Sequence, residues 1–155
     1  MIKKIDNSDL KAAVDLANQV FHEFIADGYS EEGRQTFNNY LDYKLQEMAE
    51  DLESGHKKLW GFYQDEQIVG VIGTRDEFHI SLMFVDKNYH QRGIARALFD
   101  TVIADLKRQQ SGQSFDMTVN SSPYAVEVYR RFGFEATAVE QVNNGIRFVP
   151  MKMTV

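Results

Sequence analysis

Two hydrophobic periods alternate along this chain, and each switch between them marks an element. Ile2 to Ile5 predicts a short strand, and Asp6-Asn7-Ser8-Asp9 after it offers capping side chains for a helix. Leu10, Val14, Ala17, Phe21 and Phe24 then recur at helical spacing, so that helix should end near Asp27-Gly28. Ser30 reads as a second N-cap, with Glu31 and Glu32 favouring the positive end of the helix dipole. Phe37, Leu41, Leu45, Met48 and Leu52 form the apolar stripe of this second helix, which stops at Gly55. At Lys58 the period shortens to two. Residues 59–63, 68–74 and 78–85 predict three strands in succession, and Ile80, Leu82, Met83, Phe84 and Val85, apolar on both faces, suggest a central strand covered on both sides.

A polar loop over 86–93 separates that strand from a helix with Ile94, Ala97, Leu98, Thr101, Val102 and Leu106 on one side. Residues 115–119 form another strand, and Asn120-Ser121-Ser122-Pro123 signals a turn and a helix start. The helix over 124–132 stops at Gly133. Strands over 134–142 and 146–153 then flank Asn143-Asn144-Gly145, a hairpin turn tolerant of positive φ. The order is that of one mixed α/β domain over residues 1–155, without repeats or linkers.

Composition narrows the functional classes. The 155 residues are 43% hydrophobic and 26% charged, which suits a folded domain. A formal net charge of −6 argues against a nucleic-acid partner but leaves room for one local anion site. With no cysteine there is no disulfide scaffold, zinc–thiolate site or thiol nucleophile, and no metal site is expected. No apolar run approaches the roughly 20 residues that cross a bilayer. Met1 to Asp6 lacks the apolar stretch of a secretion signal, so no membrane and a cytoplasmic location are the expectation.

The loop Tyr89-His90-Gln91-Arg92-Gly93-Ile94-Ala95-Arg96 carries the most chemistry. It lies where a buried strand meets a helix N-terminus, and there unpaired N–H groups and the helix dipole favour an anion. Gly93 and the small Ala95 let a phosphate approach the backbone, and Arg92 and Arg96 can add charge. An ordinary helix start with solvent-facing arginines would read the same. The dinucleotide fingerprint G-x-G-x-x-G is absent.

The stretch from Ile80 to Val85 followed by Gln91-Arg92-Gly93-Ile94-Ala95-Arg96 resembles the acetyl-CoA pyrophosphate loop of the GNAT superfamily of N-acetyltransferases, with His90 where Gln or Arg is usual and Ala95 for the second glycine. Asn120 to Phe134, an Asn-containing turn and a helix carrying Tyr129 and ending in Gly133-Phe134, resembles that family's second signature. The resemblance implies a mixed, mostly antiparallel central sheet flanked by helices, the acyl-CoA N-acyltransferase fold. It also implies acetyl-CoA (coenzyme A) as cofactor and an amine-bearing acceptor as partner. On the strand, Leu82, Met83, Phe84 and Val85 would meet the thioester and pantetheine, with His90 to Arg96 on the pyrophosphate. Asn120 would contact the pantetheine arm or cap the following helix, and Tyr124 is a weaker cofactor contact.

The resemblance casts Tyr129 as general acid. An unperturbed phenol pKa of about 10 lies near that of a thiol, so proton donation to a leaving thiolate is nearly balanced. Glu77 and His79, at the start of the central strand, are candidates for the base, with a water relay as the alternative. Asp27, Glu31, Glu32 and Asp42 would make the acceptor region acidic, while Phe21, Phe24 and Phe37 read as core. Two functions remain in view: N-acetylation of a primary amine on a small molecule, peptide or protein by direct attack on the thioester, and a non-catalytic acyl-CoA-binding regulatory module. A homodimer is compatible with either.

Overall fold

The computed structural model places the backbone of residues 1–155 and describes every side chain except those of Phe24, Ala26 and residues 40–46. Phe24, Leu41, Asp42 and Leu45, singled out above, therefore have side chains outside the described residues. In chain order the elements are β1 (Ile2–Lys4), α1 (Leu10–Val20), α2 (Glu31–Ser54), β2 (Lys57–Gln64), β3 (Gln67–Arg75), β4 (His79–Val85), α3 (Ile94–Gln109), β5 (Asp116–Ser121), α4 (Val126–Phe132), β6 (Glu135–Ala136), β7 (Gln141–Asn143) and β8 (Ile146–Thr154). The strands form one sheet in the order β1-β2-β3-β4-β5-β8-β6, with β7 also on β8. Only β4 and β5 run parallel. A mixed, mostly antiparallel sheet flanked by helices is therefore the architecture.

Alternation along the strands separates two cores. Leu59 and Val71 join Leu10, Leu16, Val20 and Met48 beneath α1 and α2. Their neighbours Trp60 and Ile72 face the other way, onto Leu98, Val102 and Leu106 of α3 and Tyr129 of α4. Among the described residues, no helix is long and apolar enough to cross a membrane.

Most caps follow the sequence. Ser30 Oγ accepts from the Gly33 amide at 3.1 Å, and Gly55 and Gly133 close α2 and α4 at φ of 85° and 114°. Asn144 and Gly145 take φ of 52° and 77° in the β7–β8 turn. Asp9 does not cap α1 with its side chain. It accepts from the Tyr63 hydroxyl at 2.8 Å instead.

Two elements depart from expectation. The first helix ends at Val20 and continues as a wider π turn over Phe21–Ile25 and a 3-10 turn to Gly28, which rotates the segment relative to α1. The strand expected over 134–142 is broken into β6 and β7 at the level of Pro150. The paired bonds between Phe115 and Val155 fix the ladder so that position 150 turns its backbone away from β5. Proline has no N–H to give on that side, and only its carbonyl is used, accepting from the Thr137 amide at 2.8 Å.

Candidate active site

The site begins at an irregularity in the sheet. Gly73 opposes Leu82 and Thr74 opposes Ile80, so Ser81 is an extra residue that bulges β4. A bulge bends its strand and increases the local twist. Beyond it β4 leaves β5: the two strands pair only at His79–Thr118 and Ile80–Val119. Residues Ser81 to Val85 are consequently half-exposed along the gap, although the strand is central and packs on both faces as expected, Met83 and Val85 on one core and Leu82 and Phe84 on the other.

The gap has a polar edge. The Asp86 amide donates to Val69 O at 2.8 Å, and ladder bonds alternate along an antiparallel pair. Leu82 and Phe84 thus spend their backbone groups on β3, whereas Met83 and Val85 turn theirs into the gap. His90 bears this out, since its Nε2 donates to Val85 O at 2.8 Å.

At the open end the backbone forms a cradle. Gln91 and Gly93 both have left-handed φ, 62° and 76°, so the loop turns sharply on either side of Arg92 before α3 begins. Gly93 then caps α3 with no side chain over the helix end, leaving the first-turn amides of Ile94, Ala95 and Arg96 facing outward. A Cβ at Gly93 would meet no protein atom within 4 Å, so glycine is required there by the dihedral and leaves space above it. The two arginines are partly engaged. Arg92 lies 5.0 Å from the Tyr89 ring centroid and does not line the cleft, and Arg96 pairs with Asp100 at 3.2 Å.

The gap and cradle open into one cleft of about 810 Å³, also lined by Asn120, Tyr124 and Tyr129. Ser122 Oγ accepts from the Ala125 amide and so caps the turn, which releases Asn120 from the capping role and leaves it exposed in the cleft. Tyr124 is 55% exposed at the rim. Tyr129 is 4% exposed, its ring edge-on to Phe132 and Phe134, and its hydroxyl has no hydrogen-bond partner among the described residues. Burial pushes the phenol well above its ordinary value, so it remains protonated at neutral pH.

Glu77 and His79 do not line this cleft. Glu77 borders a separate polar hollow with His56, Lys58 and Gln109. His79 sits where β4 and β5 are still paired, with Nδ1 2.8 Å from Thr118 Oγ1, and burial lowers its pKa. The bulge at Ser81 opens the sheet in the other direction along β4, so neither residue lines the cleft that holds Tyr129.

The acidic residues expected around an acceptor are also placed elsewhere. Asp27, Glu31 and Glu32 do not line the cleft. Phe21 is core as expected, 2% exposed and clustered with Tyr29, and Phe37, Ile25 and Ile146 pack against that pair; the same cluster also borders the cleft. The π turn aims Phe21 and Ile25 there, a shift that uniform helical spacing does not signal. Ile146 arrives through an intimate contact, because a Cβ on Gly33 would lie 2.1 Å from Gly145 O.

An open strand edge leading into an uncapped helix N-terminus fits a long ligand that carries amides and phosphates. A family model described as an acetyltransferase (GNAT) domain matches residues 25–155. An uncharacterized N-acetyltransferase, YafP of Escherichia coli (strain K12), is 29% identical over 85 residues, 55% of this chain and 51% of that protein. The UPF0157 protein YqkA of Bacillus subtilis (strain 168) is 24% identical over 106 residues, 66% of this chain and 30% of that protein. The chain thus spans about half of one of these curated relatives and under a third of the other. Among solved structures, a GCN5-related N-acetyltransferase from Rhodopseudomonas palustris superposes with a TM-score of 0.81 at 17% identity, over 100% of this chain and 95% of that one. The paia N-acetyltransferase of Thermoplasma acidophilum, in complex with coenzyme A, gives 0.75 at 15% identity, over 100% and 98%. From its sheet, its cleft and the family match over residues 25–155, this chain belongs to the GNAT acetyltransferase family.

Proposed function

We propose that this protein is an acetyl-CoA-dependent N-acetyltransferase that acetylates a primary amine by direct attack on the thioester. The observation that carries the reading is one continuous cleft joining the β4 backbone edge at Met83 and Val85, the backbone turn and helix start at Gly93, and Tyr129, whose hydroxyl faces the cleft. Acetyl-CoA supplies, when bound, an acetyl group already activated as a thioester.

The amides of Gln91 to Arg96 hold the pyrophosphate, drawing on the dipole of α3. Asn120, with Tyr124 at the rim, contacts the pantetheine arm. The backbone N–H groups of Met83 and Val85 bind and polarise carbonyl oxygens along the β4 edge. Tyr129 gives its proton to the departing sulfur. Burial makes this phenol a weaker acid than the ordinary value suggests, but the same dry surroundings raise the proton affinity of a thiolate beside it, which keeps the transfer near balance. No carboxylate lines the cleft among the described residues, so the amine loses its proton to water.

Acetyl-CoA should raise the unfolding temperature while ATP does not. A ligand at a thousand times its Kd adds about 4 kcal/mol to stability. Thiol release on mixing acetyl-CoA with a panel of amines should then be enzyme-dependent. Stabilisation without thiol release from any amine would instead favour an acyl-CoA-binding regulatory module.

A further inference from the structure

We infer that the acceptor is a monoamine with an aromatic or bulky apolar body, taken up as the uncharged free base. The inference rests on the acetyltransferase reading above and concerns the end of the cleft between α1 and the β7–β8 hairpin. That end is walled by Phe21, Ile25, Tyr29, Phe37, Phe84 and Ile146. The rings form a connected set. Phe21 and Phe37 stack at 3.9 Å and 13°, Tyr29 meets Phe21 edge-on at 5.4 Å, and Phe84 meets Phe37 at 6.1 Å.

The polar atoms nearby are already spent. The Tyr29 hydroxyl donates to Arg147 O at 2.7 Å, and the Thr36 hydroxyl lies 2.8 Å from both Glu32 O and Asn144 O. Arg147 is held by Glu140 at 3.0 and 3.2 Å and by Gly28 O at 2.8 Å. Glu31, at the start of α2, is paired with Arg34 at 2.8 Å, and neither residue lines the cleft.

Charge decides between acceptor classes. Among the described residues lining the cleft there is no carboxylate, and the charged side chains that reach it are Arg96 and Arg131. An ammonium entering the apolar end would lose its hydration without gaining a counter-ion among the described lining residues, a cost that a free base avoids. A polyamine or a lysine-rich peptide would carry several such charges. An aryl or branched aliphatic body gains instead from burial against the Phe21–Phe37 stack and its edge-on neighbours. In the transfer the acceptor nitrogen forms the C–N bond as the C–S bond breaks, one nitrogen proton passes to water, and sulfur leaves as the thiol.

The test compares thiol release with 2-phenylethylamine, ethylamine and spermidine at fixed acetyl-CoA, together with thermal shifts by acetyl-CoA. We expect kcat/KM for 2-phenylethylamine to exceed that for either other amine at least about tenfold, and to rise with pH as the amine deprotonates. Phe37→Leu should raise its KM several-fold, and Ile25→Glu, which adds a carboxylate to the wall, should shift preference toward spermidine. Equal or faster reaction of spermidine or ethylamine overturns the acceptor class and leaves the acetyltransferase reading standing. Stabilisation by acetyl-CoA without release on 2-phenylethylamine also overturns the acceptor class. No stabilisation and no release with any amine overturns both.

Discussion

The setting of Tyr129, the proposed general acid, is made by other residues. Phe132 and Phe134 hold its ring edge-on, and its hydroxyl is left without a partner among the described residues, facing the cleft. Replacing it with Phe removes that hydroxyl without orphaning a neighbour, so packing should survive. We expect Tyr129→Phe to lower kcat by about 100-fold, the low end of what general acid–base catalysis contributes, with the KM for acetyl-CoA nearly unchanged. Steady-state kinetics over the amine panel check this, and an unchanged kcat would remove Tyr129 from the mechanism. Asn120 illustrates a choice that local sequence leaves open. An Asn before Ser-Ser-Pro can cap or face a ligand, and the outcome turned on Ser122 taking the cap.

Among the elements, the junction of α2 with the β7–β8 turn shapes the aromatic end of the cleft, the proposed acceptor end. Gly33 sits inside a helix, where Ala is ordinarily favoured by roughly 0.5–1 kcal/mol. Here the sign should reverse. An added Cβ would fall 2.1 Å from Gly145 O and 2.7 Å from its carbonyl carbon, and backbone cannot swing aside as a side chain can. Gly33→Ala should therefore destabilise the protein by about 2 kcal/mol, the ordinary scale of overpacking, read as a lower unfolding midpoint in denaturant. Ile146, next to the turn, should move with it, raising the KM for the amine more than that for acetyl-CoA. The caps at Ser30, Gly55, Gly133 and Asn144-Gly145 were all legible in the sequence, because each depends on one residue's side chain or dihedral. The π turn at Phe21–Ile25 and the break at Pro150 were not, since each depends on what a neighbouring element can accept.

In the whole molecule, the sheet is two blocks, β1–β4 and β5–β8, joined by two register pairs. His79 spans that seam through its bond to Thr118. Burial foremost, and then the Arg75 charge, lower its pKa below the ordinary 6.5, against a smaller opposing effect of Asp76. A histidine with a depressed folded-state pKa binds fewer protons folded than unfolded in the window between the two values. Its contribution to stability is complete above about pH 6.5 and is lost as the pH falls through the folded-state pKa. Unfolding temperatures measured from pH 7 down to pH 5 should fall more steeply for the native protein than for His79→Gln. Parallel slopes would show that His79 does not couple the seam to pH.

The periodicity of the chain carried the mixed α/β class, and the order and most boundaries of its elements follow from it, because amphipathic spacing, caps and turn residues act over a few positions. Two short signatures placed the cradle at Gly93 and put Tyr129 on its helix. Periodicity did not carry the cleft. It arises from a bulge at Ser81 that parts two strands whose cleft-lining residues are some forty positions apart in sequence, Ile80 to Val85 against Val119 and Asn120. Glu77 and His79 lie outside the lining of that cleft, and Phe37 and Ile146 join it through the packing of α2 on the β7–β8 hairpin. Side chains far apart in sequence meet through packing, and packing is settled by the balance of the whole chain rather than by any one segment of it.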